Sequence, residues 1–236
     1  RDLHSFHTRR SSDLASVIAI GIAVLGLYIK SGLNGFVTKD RVVTVKGLAE
    51  KEVKADKVIW PIAYTEMGDD LSVLYKTVER KNKLVTDMLF EKGINADEIT
   101  NNIDITDLKT YSSDSPFRYK LTSVITVNTN NVDAVLLLMK NLNALIEKGL
   151  AISFNDYNYA IKFEYTGLNS IKPEMIKEAT KNARKAALQF AEDSESELGK
   201  IKRANQGQFS IEDRDQTTKH IKKVRVVTTV EYALED

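Results

Sequence analysis

The sequence predicts an α+β fold: antiparallel strands with about three packed helices, preceded by one N-terminal transmembrane helix. Three observations carry this. Period-two runs, such as Val58, Trp60, Ile62 and Tyr64 or Val224, Val226, Thr228, Val230 and Tyr232, put alternate side chains on one sheet face. Three longer stretches carry apolar residues at helical spacing, each followed by a glycine, Gly93, Gly149 or Gly199. Near the start, Ala15–Ile29 is apolar without interruption until Lys30.

The soluble part begins in the segment 39–57, where Val43 and Val45 alternate with Thr44 and Lys46 and Gly47 breaks the pattern. The strand holding Val58 to Tyr64 contains Pro61, which places it at an edge or a bulge. A helix is expected over 69–92, with Leu71, Leu74, Val78, Val85 and Met88 on one face, Asp69 or Asp70 at its start and Gly93 at C′. Two strands follow: Ile99, Ile103 and Ile105 share a face of the first, and Phe117, Tyr119, Leu121, Ile125 and Val127 a face of the second, with the turn at 112–116. The next helix spans 132–148, capped by Asn130 or Asn131, with Asp133 in its first turn. A long strand over 151–165 is expected next, bulged near Asn155 and lining Tyr157, Tyr159, Ile161, Phe163 and Tyr165 along one side.

The longest helix is expected over 170–198, with Pro173 in its first turn and Gly199 ending it. Its stripe, Met175, Ala179, Ala183, Ala187 and Phe190, is mostly alanine, which lets a helix lie close on a sheet. A strand near 201–211, a charged loop over 212–219 and the final strand complete the chain. The succession of helix, glycine and two strands occurs after residue 69 and again after residue 170, an echo of topology with little side-chain identity.

The first fourteen residues stand apart. His4–Leu14 resembles the conceptual translation of a sequencing-library adapter, with His7 where that translation has Pro. Residues 1–14 are therefore set aside as an assembly artefact or, failing that, a disordered basic tail, with the true start of the protein elsewhere. Without them basic and acidic residues balance and His220 is the only histidine. The apolar run that follows is expected to be a signal-anchor helix over 15–37, since fifteen residues span about 22 Å and the longer stretch about 34 Å, against a hydrocarbon core of about 30 Å. Lys30 would snorkel toward the headgroups. A cleaved signal peptide and a buried core helix are the competing readings; no A-x-A-like site follows the run, and it is apolar all round rather than on one stripe. The unreliable upstream flank leaves orientation unassigned by charge.

Composition narrows function mainly by exclusion. The 236 residues are 42% hydrophobic, enough for a real core, and the formal charge of +1 leaves no electrostatic footprint for nucleic acid. The absence of cysteine removes disulfides, thiolate metal sites and cysteine nucleophiles. No G-x-S-x-G, phosphate-binding glycine loop or H-E-x-x-H occurs. His220, between Lys219 and Ile221, reads as an exposed strand-start residue. The acidic stretches 192–197 and 212–215 could offer oxygen ligands to a hard cation, but neither has EF-hand spacing, and they read as a helix end and a surface loop. The tyrosine-rich segment reads as a sheet face packed on a helix, or as an interface. No catalytic, cofactor-binding or metal residue is assigned, and no small-molecule ligand is implied.

The stretch VTVKGLAEKEVKADK, Val43–Lys57, resembles the opening of SIMPL-domain proteins, formerly a domain of unknown function. Those begin with a strand, a glycine, a small or acidic turn and a V-x-P-D-like step, held here by Val53, Lys54, Ala55 and Asp56, with Ala55 where proline is common. The later order also fits: a helix ending in Lys92–Gly93–Ile94, two strands, and an alanine-rich helix reaching Leu198–Gly199 before the last strands. The resemblance covers about 41–234. It implies a bacterial extracytoplasmic protein. Some relatives are envelope antigens that assemble into ring-like or channel-like oligomers; others are linked to oxidative-stress tolerance, without defined catalytic chemistry. The resulting expectation is a non-enzymatic envelope protein, held in the inner membrane by Ala15–Val37 with its domain in the periplasm, acting by self-assembly as a homo-oligomer or by binding. The alternatives are a carboxylate-dependent enzyme and a cytoplasmic adaptor whose apolar run is a core helix.

Overall fold

A computed structural model describes residues 16–30, 41–141, 143–147, 149–152 and 157–235. In chain order the elements are a helix α1 at 16–30, strands β1 (Val42–Lys54) and β2 (Lys57–Gly68), helix α2 (Leu71–Glu91), strands β3 (Ile99–Asp107) and β4 (Tyr119–Thr129), helices α3 (Val132–Lys140) and α4 (Asn143–Glu147), strand β5 (Lys162–Glu164), helix α5 (Leu168–Asp193), and strands β6 (Glu197–Gln206), β7 (Ser210–Asp213) and β8 (Ile221–Glu235). The fold is α+β with antiparallel sheets. Two compact units divide it. One comprises the chain up to Ala49, Glu174–Gln208 and Val226 onward; the other comprises Glu50–Pro173 and Phe209–Arg225.

The second unit is built on the sheet β3-β4-β2-β5. The period-two expectation holds where it was strongest: Val58, Trp60, Ile62 and Tyr64 of β2 and Leu121, Ile125 and Val127 of β4 are all buried. The register sets Pro61 opposite Thr126, and pairing with β5 ends at Ile59. The missing N–H of Pro61 therefore turns to the side where β2 has no continuous partner, so the proline is tolerated inside a four-stranded sheet. Helix α2 covers this sheet through Leu74, Val78, Val85 and Leu89. The Asp70 side chain caps it, accepting from the Ser72 and Val73 amides at 2.8 and 3.1 Å. Gly93, at φ +80°, takes the left-handed position beyond its end.

Three expectations fail in this unit. The helix over 132–148 is two helices. Asn141 Nδ2 donates to Leu137 O at 3.0 Å while its backbone N–H closes a tight turn on Leu138 O, so the asparagine ends α3. The capping by Asn131 is as expected, with its side chain accepting from the Ala134 amide. The long strand over 151–165 does not form. Lys162–Glu164 pairs with β2, Ile152 adds a single isolated bridge to Tyr64, and Tyr157–Tyr159 is a tight 3-10 turn in an Asn- and Asp-rich stretch whose side chains favour turns. Residues 153–156, where the bulge was expected, lie outside the described residues. Ile105 and Phe117 are exposed rather than facing the core, Phe117 because β4 begins only at Tyr119.

In the first unit β1, β8 and β6 pair in that order. Val226, Thr228, Val230 and Tyr232 of β8 are buried on one face, as the alternation predicts. Gly47 does not break β1. A Cβ there would stand 1.9 Å from Ala179 O and 2.4 Å from Ala183 N, so the glycine is where the strand and the α5 backbone touch. Met175, Ala179, Ala183 and Ala187 are buried and the alanine stripe does bring the helix close on the sheet, but Phe190, expected on it, is exposed, and Ala191, one residue on, takes the buried position. Helix α5 ends earlier than expected, at Asp193. The Ser196 amide folds back to Ala191 O at 2.9 Å around Glu195, whose φ is +51°. Gly199 therefore lies inside β6, and the strand expected over 201–211 is two strands, β6 and β7. Pro173 sits in the second turn of α5, not the first, because that helix already begins at Leu168.

Helix α1 is exposed at every residue, including Val17, Ile20, Leu27 and Tyr28, so the core-helix reading of the apolar run is not met. Among the described residues no helix is long and apolar enough to cross a membrane. The extension of the run toward Val37 and the set-aside segment 1–14 lie outside the described residues.

Candidate functional site

The family-like step at 53–56 is a structural joint in the second unit. The Asp56 carboxylate accepts from the Thr166 and Gly167 amides at 2.7 and 3.0 Å, fixing the turn into α5. The neighbouring Ala55 amide donates to His220 O at 2.8 Å, tying this turn to the start of β8. Beside it opens a cavity of about 210 Å³, lined by Lys54, Asn130, Asn131, Asp133 and His220 among others. His220 is half-buried rather than exposed, and its ring stands edge-on to Phe163 at 6.0 Å. Among the described residues no carboxylate hydrogen-bonds to that ring, so nothing orients it as the base of a triad. Asn131 is engaged in capping α3.

A larger concavity of about 580 Å³ runs along α2, α3 and α4. Leu84, Met88, Leu138 and Leu145 form its apolar floor, and Asp87, Glu91 and Lys92 its rim. With an apolar floor and its titratable groups on the rim, the arrangement suits contact with an apolar surface.

The acidic stretches behave as structure. Asp215 accepts from the Thr217 amide and hydroxyl at 2.8 and 2.7 Å, from the Thr218 amide at 2.7 Å, from the Thr218 hydroxyl, and from Arg214 Nε at 3.1 Å. These donors, the Thr218 hydroxyl foremost, hold its carboxyl far below the usual carboxylate range. With five donors on two oxygens, Asp215 has little left to offer a cation. Arg214 also reaches Glu52 at 3.3 Å, and Asp213 pairs with the buried Lys222. The other stretch forms the exposed end of α5, where Asp193 accepts from Gln189. Among the described residues no three His, Asp or Glu side chains converge as a metal site would require. The aromatic face at 157–165 dissolves with its strand, since Tyr157 is 94% exposed while Phe163 is buried.

One polar cluster escaped the sequence reading. Asn82 lies at a core-facing position of α2, between Val78 and Val85, and that placement was the available signal. Its amide meets Tyr64 Oη at 2.7 Å and Ser123 Oγ at 2.8 Å, and Tyr64 Oη is also 2.9 Å from Val78 O. The Tyr64 hydroxyl shares its proton between Asn82 Oδ1 and Val78 O, the Ser123 hydroxyl donates to the same Oδ1, and Asn82 Nδ2 is buried without a hydrogen-bond partner among the described residues. Burial pushes the Tyr64 phenol up to about 12, so it stays neutral and acts as a core anchor, not as a base.

The fold and these groups define a class: α+β proteins whose helices cover antiparallel sheets and whose polar side chains mostly brace turns. The chain belongs to the SIMPL family, described as "Protein of unknown function (DUF541)", whose family model matches residues 43–232. No curated protein matches the chain.

Proposed function

We propose that this chain is a non-enzymatic, membrane-anchored envelope protein. It is held by a single pass through Ala15–Val37 in the inner membrane of a bacterium, with the SIMPL domain in the periplasm. It acts there by self-assembly or binding, in a role linked to stress tolerance. The observation that carries this reading is α1. Its large apolar side chains, among them Ile18, Ile22, Leu25 and Ile29, are all exposed, and no other element among the described residues buries them. Transferring nine such side chains from water to a bilayer is worth on the order of 10 kcal/mol, far more than a solvated helix of this length gains by forming. The periplasmic side and the stress role rest on the resemblance to envelope relatives.

Cell fractionation with protease accessibility tests this. The chain is expected in the membrane fraction, resistant to alkaline extraction, and cleavable beyond Lys39 by protease added from the periplasmic side. Recovery in the soluble fraction overturns the anchor, and cleavage only from the cytoplasmic side overturns the placement.

A further inference from the structure

Five strands lie at the edges of the two sheets, and four of them carry devices that discourage pairing with another chain. β5 and β7 are only three and four residues long. β1 carries Lys46, Lys51 and Lys54. β6 carries Lys200, Lys202 and Arg203, and its register against β8 is broken twice. β3 has none of these. It pairs with β4 without interruption from Ile99 to Asp107, and its sequence ITNNIDITD contains no lysine, arginine, proline or glycine. Its other edge has no strand beside it among the described residues. Thr100, Asn102 and Asp104, on the sheet face away from the helices, are exposed.

The strand is also complementary to itself. Inverted about Ile103, it sets Thr100 against Thr106, Asn102 against Asp104 and Ile103 against Ile103. Threonine pairs, amide–carboxylate pairs and β-branched pairs are favourable cross-strand neighbours, and no like charges stand opposite. The same inversion brings the acidic turn at Asp97 of one copy toward Lys109 of the other. A two-fold contact of this kind is isologous and joins the two sheets into one.

We infer that the β3 edge is the site at which a second copy of this chain adds, antiparallel and centred on Ile103. The inference rests on the self-assembly reading above and names its contact.

The cysteine-free sequence gives a clean test in the full-length chain in detergent. In the inferred register residue 100 faces residue 106 of the other copy at disulfide range, about 5.5 Å between Cα atoms. Each of these positions lies about 20 Å from its own counterpart. A Thr100→Cys/Thr106→Cys double variant should become a covalent dimer on mild oxidation. Neither single variant should, and mixing the two singles should restore the dimer. A double variant that stays monomeric with reagent-accessible thiols, or a Thr100→Cys single that cross-links as fully as the double, overturns the inference. Asn102 supplies a second test of opposite signs. Asn102→Asp places like charges opposite twice per dimer and should raise the self-association Kd about tenfold, whereas Asn102→Lys faces Asp104 and should lower it. Equal effects of the two substitutions overturn the register. Amine-reactive cross-linking of the unaltered chain separates the two levels. Oligomers captured there without the cysteine dimer leave self-assembly standing and remove the β3 contact; no oligomer in either assay removes both.

Discussion

Gly47→Ala is the substitution to which the first unit should be most sensitive. The added methyl would stand 1.9 Å from Ala179 O and 2.4 Å from Ala183 N, both backbone atoms of α5. Neither can rotate away as a side-chain tip would. Relief requires β1 and α5 to separate by about 1 Å, and that opens the contact in which Val45, Ala183, Ala187, Val230 and Tyr232 are packed. Overpacking ordinarily costs about 1–3 kcal/mol, and a backbone-on-backbone clash belongs at or above the top of that range, a large part of a total stability of about 5–15 kcal/mol. Urea unfolding should show the midpoint falling by that amount with little change in slope. Gly68→Ala is the control, because its methyl would meet only Leu74 Cδ1 at an ordinary 3.6 Å. If Gly47→Ala unfolds within about 0.5 kcal/mol of the parent, the account of the glycine–alanine contact is wrong.

Three further substitutions test other parts of the fold. Glu195→Gly should stabilise the protein by about 1 kcal/mol in thermal or urea unfolding, because the residue holds a left-handed φ of +51° that a glycine adopts without strain. Tyr64→Phe bears on the buried hydroxyl cluster. The folded state holds the Tyr64 proton to about pH 12 against an ordinary 10.0, so this part of the stability is complete below pH 10 and is lost as pH rises toward 12, by up to about 3 kcal/mol. The phenylalanine variant should lack that alkaline loss, and parallel pH profiles would show that the phenol is not shielded. Glu98 is the opposite case. The Thr129 hydroxyl, at 2.5 Å, and the Asn95 amide, at 2.8 Å, hold its carboxyl below the usual range. Its contribution is present above the ordinary carboxylate pKa and fades as pH falls through the folded value. Glu98→Gln should therefore be less stable than the parent at neutral pH and converge with it in acid, and a constant offset across pH would contradict this.

Elements defined by unbroken periodicity were legible in the sequence. The β2 and β8 faces, the α2 stripe with its Asp70 cap and Gly93 terminus, and the alanine stripe of α5 all follow from spacing alone. Gly47 and Gly199 were misread for one reason. Glycine marks both chain reversals and close backbone approaches, and only the position of α5 tells which applies at Gly47. The end of α3 was hidden because Asn141 competes for a carbonyl through its side chain, an effect apolar periodicity does not register. The strand over 151–165 failed for the opposite reason: alternating aromatics outweighed the Asn and Asp residues among them. Of the candidate groups, His220 was located but its half-burial against Phe163 was not, and Asn82 was passed over because a single polar residue barely alters an apolar stripe.

The proposed α1 anchor is tested most directly by membrane partitioning of an Ile22→Asp/Leu25→Asp variant. Both side chains are exposed and α1 contributes nothing to either core cluster, so the thermal unfolding of the domain should not change. Two carboxylates in mid-helix cost about 2.5–3.5 kcal/mol each in a bilayer, and the variant should shift from the membrane to the soluble fraction. A variant that stays with the membrane as fully as the parent, its unfolding unchanged, would contradict the anchor.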